Sequence, residues 1–162
     1  MTGKVFDANN QITDISTLEK CVFGGKGQID LVSPSGTSHC YRFEIPKNPN
    51  RFPNDIRFVY AIHEDKKFYL GMIEHRTFRL TANSRFDVTH DVVKGAEYIV
   101  RVVNTGQDMN KLQMKFYHNG RCAMCGRKLT SNKWHKLGLG KRCLKKYEEL
   151  IVPNVGERTQ AI

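Results

Sequence analysis

Cysteines near the C-terminus are the residues of this chain best suited to chemistry. Cys122 and Cys125 are two residues apart, and Cys143 follows a Gly138-x-Gly140 turn. A Cys-x-x-Cys pair can hold one side of a tetrahedral metal, and thiolate and imidazole are the usual ligands of closed structural zinc sites. The spacing therefore predicts one structural Zn²⁺ bound by these three cysteines. A redox dithiol and unreactive thiols are the alternatives, and the third cysteine favours the metal.

Two nearby histidines compete to be the fourth ligand that tetrahedral zinc requires. His118 ends a predicted strand, and the Asn119-Gly120 turn can fold it back toward the cysteine pair. His135 belongs to a basic loop, in which an exposed imidazole could instead meet a phosphate or a base. We predict His118 as the ligand and His135 as its alternate. Four protein ligands leave no open position, so the predicted site is structural and not catalytic.

The positive charge of the chain is concentrated around these cysteines. The formal net charge is +10, and residues 121–149 hold nine Lys or Arg against two acids, a net of +7. A field this concentrated attracts polyanions, and nucleic acid is the default partner of such a patch, although a solvated basic surface is the alternative. The residues predicted to bind nucleic acid are Arg127, Lys128, Lys133, Trp134, Lys136, Lys141, Arg142, Lys145 and Lys146.

Trp134 is the only tryptophan and lies between Lys133 and His135. Stacking of bases on an aromatic ring within a basic groove is a recurrent way of binding single strands. Packing of the indole over the cysteine pair is the alternative. DNA and RNA are both possible partners at this point.

Apolar periodicity predicts the elements that position these residues. The period is that of strands over most of the first eighty residues and that of an amphipathic helix at 87–104. The pattern predicts an α+β fold in which one helix packs on a small antiparallel sheet, followed by a C-terminal zinc finger of treble-clef or ribbon type. Predicted strands cover 29–31, 39–45, 56–62, 68–73, 77–81 and 111–117, and a last helix covers 143–151.

The same pattern divides the chain into four parts. We expect a flexible arm at 1–17, a sheet-and-helix domain at 18–117, the zinc module with its basic helix at 118–152, and a tail at 153–162. With 40% hydrophobic residues the chain is of globular composition. The polar start predicts that no signal peptide is present, long apolar runs are missing from the sequence, and the cysteines suit a reducing compartment. We therefore expect a cytoplasmic protein without a membrane partner.

The cysteine region resembles an uncharacterised family of small zinc-finger proteins from phages and bacteria. That family has the pattern His-x-Gly-Arg-Cys-x-x-Cys-Gly-Arg-x-Leu-Thr, a spacer, and Gly-x-Gly-x-x-Cys. Here the pattern is met by 118–130 and 138–143, with weaker similarity at 24–34, 69–73 and 78–81. The family's histidine ahead of the cysteine pair corresponds to His118 in this sequence, and the resemblance therefore implies His118 as the fourth ligand. The spacer differs, since it is basic and contains Trp134, and Lys141 replaces a proline. The family has no assigned reaction.

Three classes of function follow from these features. The first is a phage-type basic zinc finger that binds nucleic acid through the C-terminal module. The alternative is a phage-encoded inhibitor that binds a host protein or ribonucleoprotein complex in the host cytoplasm, as in anti-CRISPR activity or transcription takeover. An enzyme is not expected, because the sequence shows no nucleophile elbow, phosphate loop or convergent acid–base set. For the same reason we expect no small-molecule substrate.

Overall fold

The structure of the protein is a computed structural model that describes residues 5–48 and 55–149. The predicted tail at 153–162 lies outside the described residues. Strands are β1 (Gln11–Ile12), β2 (Lys26–Val32), β3 (Ser38–Glu44), β4 (Arg57–His63), β5 (Lys66–Glu74), β6 (Thr77–Arg79) and β7 (Lys115–His118). Helices are α1 (Ile15–Phe23), α2 (Asp91–Thr105), α3 (Asn132–Leu137) and α4, which is described over 141–149, with 3-10 turns at Ala8–Asn10 and Met109–Lys111.

The strands form one seven-stranded sheet in the order β1-β7-β2-β3-β4-β5-β6, and every pairing is antiparallel. Two hairpins close through residues with positive φ, Glu64 and Asp65 between β4 and β5, and His75 and Arg76 between β5 and β6. Such two-residue turns match the right-handed twist of the flanking strands. The α+β class and the antiparallel sheet are confirmed.

Helix α2 covers one face of the sheet. Its buried stripe includes Ala96, Ile99 and Val103, as the three-to-four spacing predicts. The hydroxyl of Tyr41 on β3 donates to the Val92 carbonyl at 2.6 Å, which joins sheet and helix at a buried point. The helix begins at Asp91, later than the predicted 87, so Val88 lies outside it and is exposed.

Three elements of the structure differ from the sequence prediction. The first seventeen residues, expected to be a flexible arm, contain β1 and the start of α1. Helix α1 itself was not predicted, and Asp14 caps it by accepting from the Thr17 amide at 2.8 Å. Residues 133–136, expected in a loop, lie in α3, which ends at the left-handed Gly138.

The C-terminal segment shares its core with the sheet. Ala123, Leu129 and Leu139 are buried in the same apolar cluster as Leu18 and Cys21 of α1. The boundary that we predicted at 117/118 therefore runs through continuous packing. Among the described residues, no helix is long and apolar enough to cross a bilayer.

Candidate metal centre and basic pocket

The three predicted cysteines converge in the structure. The sulfur atoms of Cys122, Cys125 and Cys143 all lie within 4.8 Å of one another, and the group could hold a metal ion. Cys122 and Cys143 are buried, with 1% and 8% of their surface exposed, and Cys125 is more accessible. Among the described residues this is the single group of three or more Cys, His, Asp or Glu side chains with that geometry.

Backbone hydrogen bonds shape the turn that carries Cys122 and Cys125. The Gly126 amide donates to the Cys122 carbonyl at 2.9 Å, and the Cys122 amide donates to the Arg127 carbonyl at 2.8 Å. Gly126 has φ +81°, a conformation that costs glycine little. The turn thereby folds the two sulfurs toward the same side, where α4 supplies Cys143 from its first turn.

The cysteine turn is held against α1 by close backbone contact. A Cβ on Gly24 would lie 2.7 Å from the Ala123 carbonyl oxygen, so this position requires glycine. The Ala123 carbonyl accepts from the Lys26 amide at 2.7 Å, and the Ala123 amide donates to the Gly138 carbonyl at 2.9 Å. One residue between the two cysteines is thus bonded both to β2 and to the loop before α4.

The surroundings of the thiols shift the pKa values of Cys122 and Cys143 in opposite directions. Burial opposes ionisation of Cys122, but hydrogen bonds from the backbone amides of Gly140, Cys125 and Met124 outweigh it and hold the pKa of Cys122 below its ordinary value. Burial and the two neighbouring sulfurs raise the pKa of Cys143 to about 12. A bound metal cation would instead lower the pKa of Cys143, because a thiol that coordinates a metal is deprotonated.

His118 is buried but is engaged elsewhere. Its Nε2 donates to the carbonyl of His135 at 2.6 Å, and its Nδ1 accepts from the Gly120 amide at 2.9 Å. Burial lowers the pKa of His118, which suits a neutral ring. Both ring nitrogens have protein partners, so the ring offers no lone pair to a metal in this arrangement. The geometry gives the predicted ligand role of His118 no support.

His135, the alternate ligand, is also bonded within the protein. Each ring nitrogen faces a protein oxygen: Asn10 Oδ1 lies 2.7 Å from Nδ1, and the Leu129 carbonyl oxygen lies 3.1 Å from Nε2. These contacts tie α3 to the 3-10 turn near the N-terminus. Neither histidine belongs to the cluster of three sulfurs.

The cysteines open onto a basic pocket of about 390 Å³. Six of the nine residues predicted to bind nucleic acid line it, namely Arg127, Lys128, Trp134, Lys141, Arg142 and Lys146. The other three, Lys133, Lys136 and Lys145, are exposed and do not belong to its lining. Trp134 is half-buried, packs against the core and also forms part of the pocket wall. The Lys133 ammonium lies 4.9 Å from the centroid of the Trp134 ring.

A second cavity, of about 450 Å³, lies near the start of α2 and was not predicted. It brings together His39, His63 and His90, which are distant in sequence. Burial lowers the pKa of His39, against the opposing charge of Asp91. His90 accepts from the Val92 amide at 3.1 Å and so caps α2. No sequence spacing signals this cavity, because strand pairing and helix docking assemble it.

Comparison with known proteins did not place the chain in a family. No model of a protein family matches it, and no curated protein or solved structure does so. The resemblance to small phage and bacterial zinc fingers therefore stays a prediction from the motif.

Proposed function

We propose that Cys122, Cys125 and Cys143 bind one zinc ion and that residues 118–149 form a treble-clef-like finger that binds nucleic acid. The observation that carries this proposal is the opening of the three-cysteine cluster onto a pocket lined by basic residues and Trp134. A cluster of three soft sulfur donors favours zinc. The cysteine turn, its bridge between Arg121 and Lys128, and the following α4 have the parts of such a finger.

The placement of two cations supports a polyanionic partner. Lys141 and Arg142 are exposed in the first turn of α4, where the helix macrodipole disfavours positive charge. A local preference broken in this way is common at functional sites. An anion bound at this end would interact with the side chains and with the unpaired amides of the helix. Phosphate groups of a nucleic-acid backbone meet this requirement.

An electrophoretic mobility shift assay at low salt tests the proposal. The double substitution Lys141→Glu/Arg142→Glu should weaken binding to all sequences alike, because phosphate contacts do not read bases. Raising the salt concentration should weaken wild-type binding steeply, since about 0.9 counterion is released per phosphate contact on duplex DNA.

Lys94→Glu/Lys111→Glu is the matched control, because it changes the net charge equally at exposed positions outside the pocket lining. It should leave binding much closer to wild type. Equal losses in the two double variants would indicate attraction by net charge alone. An absence of retarded single-stranded or duplex oligonucleotide at low salt would reject the nucleic-acid function.

Trp134 distinguishes stacking from packing in the same assay. If bases stack on the indole, Trp134→Ala should weaken single-stranded binding more than duplex binding, by about 1–3 kcal/mol per stacked base. A role restricted to packing would instead lower the protein's stability and weaken both kinds of binding together.

Binding to a host protein is a second candidate, favoured by the sheet face that points away from α2. Strand alternation places Phe58, Tyr60 and Met72 on that face, opposite to buried Val59. Tyr69 joins them, with its ring centroid 5.8 Å from that of Tyr60. Aromatic residues and methionine are enriched at protein interfaces. A pull-down from host lysate with and without nuclease separates the candidates, since a protein partner survives nuclease treatment.

A further inference from the structure

We propose that the metal's fourth ligand is not a side chain of this protein but an exchangeable anion or water molecule that enters from the basic pocket. This inference rests on the zinc site of the proposed function and is independent of nucleic-acid binding. It assigns to the pocket a small-anion site at the metal itself.

The protein's own candidate ligands are otherwise engaged. Each ring nitrogen of His118 and of His135 lies within hydrogen-bond distance of a protein atom. His90 caps α2, and His63 and His75 lie beside Glu64 and Asp55 at exposed hairpin ends. The remaining histidine, His39, lines the second cavity, near the start of α2. No Asp or Glu of the described residues joins the three sulfurs.

The rest of the chain adds little to this inventory. Outside the described residues the sequence contains neither His nor Cys, and its one carboxylate side chain is Glu157. On α4, Lys146 and Tyr147 both lie one turn after Cys143, and of these two Lys146 lines the pocket. An ammonium group has no lone pair to donate, and it lines the pocket beside the sulfurs.

The charge of the pocket selects the class of ligand. Zinc with three thiolates carries a net charge of −1, while Arg127, Lys128, Lys141, Arg142 and Lys146 bring five positive charges to the lining. An anion at the fourth position is therefore compensated by the surrounding cations. Three protein ligands and one exchangeable ligand are the arrangement of open zinc sites, in contrast to closed four-ligand ones.

X-ray absorption at the zinc edge of the full-length protein tests the ligand set without any substitution. In chloride-free buffer, which is needed because chloride scatters like sulfur, we expect three sulfur neighbours and one lighter neighbour that lacks the outer-shell scattering of an imidazole ring. An imidazole signature or a fourth sulfur would overturn the proposal, and so would protein that binds no zinc.

A cobalt-substituted sample tests exchange. Azide should change the visible ligand-field bands in a saturable way, whereas perchlorate at the same ionic strength should not. Lys146→Gln should raise the azide dissociation constant by roughly twofold to fivefold, the range for loss of one partly exposed cation. Lys94→Gln, which lies outside the pocket lining, should leave the constant unchanged.

Glu157→Gln should alter neither the cobalt spectrum nor azide binding. A changed spectrum in this variant, or bands that ignore azide in the wild type, would overturn the proposal. A mobility shift assay on the same samples keeps the outcome separate from that of nucleic-acid binding, because the finger can bind nucleic acid with its fourth position open or closed.

Discussion

At the scale of single residues, His118 shows how a ligand-like position can have a structural role. It stands four residues before Cys122, the spacing that suggested a metal ligand, yet its ring links β7 to α3 through the His135 carbonyl. The Gly120 amide donates to its Nδ1, so the neutral ring protonated at Nε2 satisfies both partners. Protonation of Nδ1 would break the bond to Gly120 within a buried site.

This arrangement predicts a pH dependence for His118. Burial lowers its pKa from 6.5 in the folded protein, so below pH 6.5 the unfolded chain binds more protons than the folded one. The contribution of His118 to stability should be complete above pH 6.5 and should fall as the pH is lowered through the window beneath it. NMR titration of the ring checks this directly. A ring that titrates at or above 6.5 would contradict the buried neutral state.

At the scale of elements, β3 and α2 make a close contact in the sheet–helix packing. The Tyr41 hydroxyl reaches the Val92 carbonyl because Gly95 leaves space beside it. A Cβ on Gly95 would lie 2.1 Å from the Tyr41 hydroxyl oxygen. Glycine costs helix stability compared with alanine, so steric demand from β3 overrides helix propensity at this position.

Gly95→Ala should therefore destabilise the protein in spite of the better helix propensity of alanine. We expect a loss of about 2–4 kcal/mol, from overpacking and from the displaced buried hydrogen bond. Urea unfolding measures the free energy. In a Tyr41→Phe background, which lacks the hydroxyl, the same substitution should cost less. Equal costs in the two backgrounds would show that the hydroxyl does not constrain α2.

At the scale of the whole molecule, the three-cysteine cluster and the sheet belong to one core. Ala123 and Leu139 pack in the same cluster as Leu18 and Cys21, and the Thr17 hydroxyl donates to the Lys136 carbonyl at 3.0 Å. Burial raises the pKa of the Cys21 thiol to about 12, so it acts as a small apolar residue in the core that it shares with Cys122 and Cys143. The two parts should therefore gain and lose stability together.

Metal removal tests this coupling. Metal analysis should find about one zinc per chain, and chelation should lower the free energy of unfolding by about 3 kcal/mol or more, as expected when free zinc exceeds its dissociation constant a hundredfold. Trp134 fluorescence reports the C-terminal segment, and far-ultraviolet circular dichroism reports mainly the sheet and helices. The unfolding transitions followed by fluorescence and by circular dichroism should coincide with each other, both in the presence and in the absence of zinc. Separate transitions would instead support the predicted boundary between 117 and 118.

The local pattern of this sequence determined the parts that depend on neighbouring residues. Alternation predicted β2, β3 and β7, and short runs of β-forming residues between turns predicted β4 to β6. The three-to-four spacing predicted α2 with Gly106 at its end, because that pattern repeats over enough residues to define a period. Helix α1, with nine residues, and α3, with six, were missed because a short helix gains its stability mainly from tertiary packing.

The spacing of the cysteines also determined that three sulfurs could meet, since a two-residue gap brings two of them into one turn. Only the tertiary structure decided what surrounds them. The partners of His118 and His135 come from other elements, and the basic pocket forms where α3, α4 and the cysteine turn converge. Both depend on contacts between residues distant in sequence, and these are set by the burial of a shared core that no local pattern specifies.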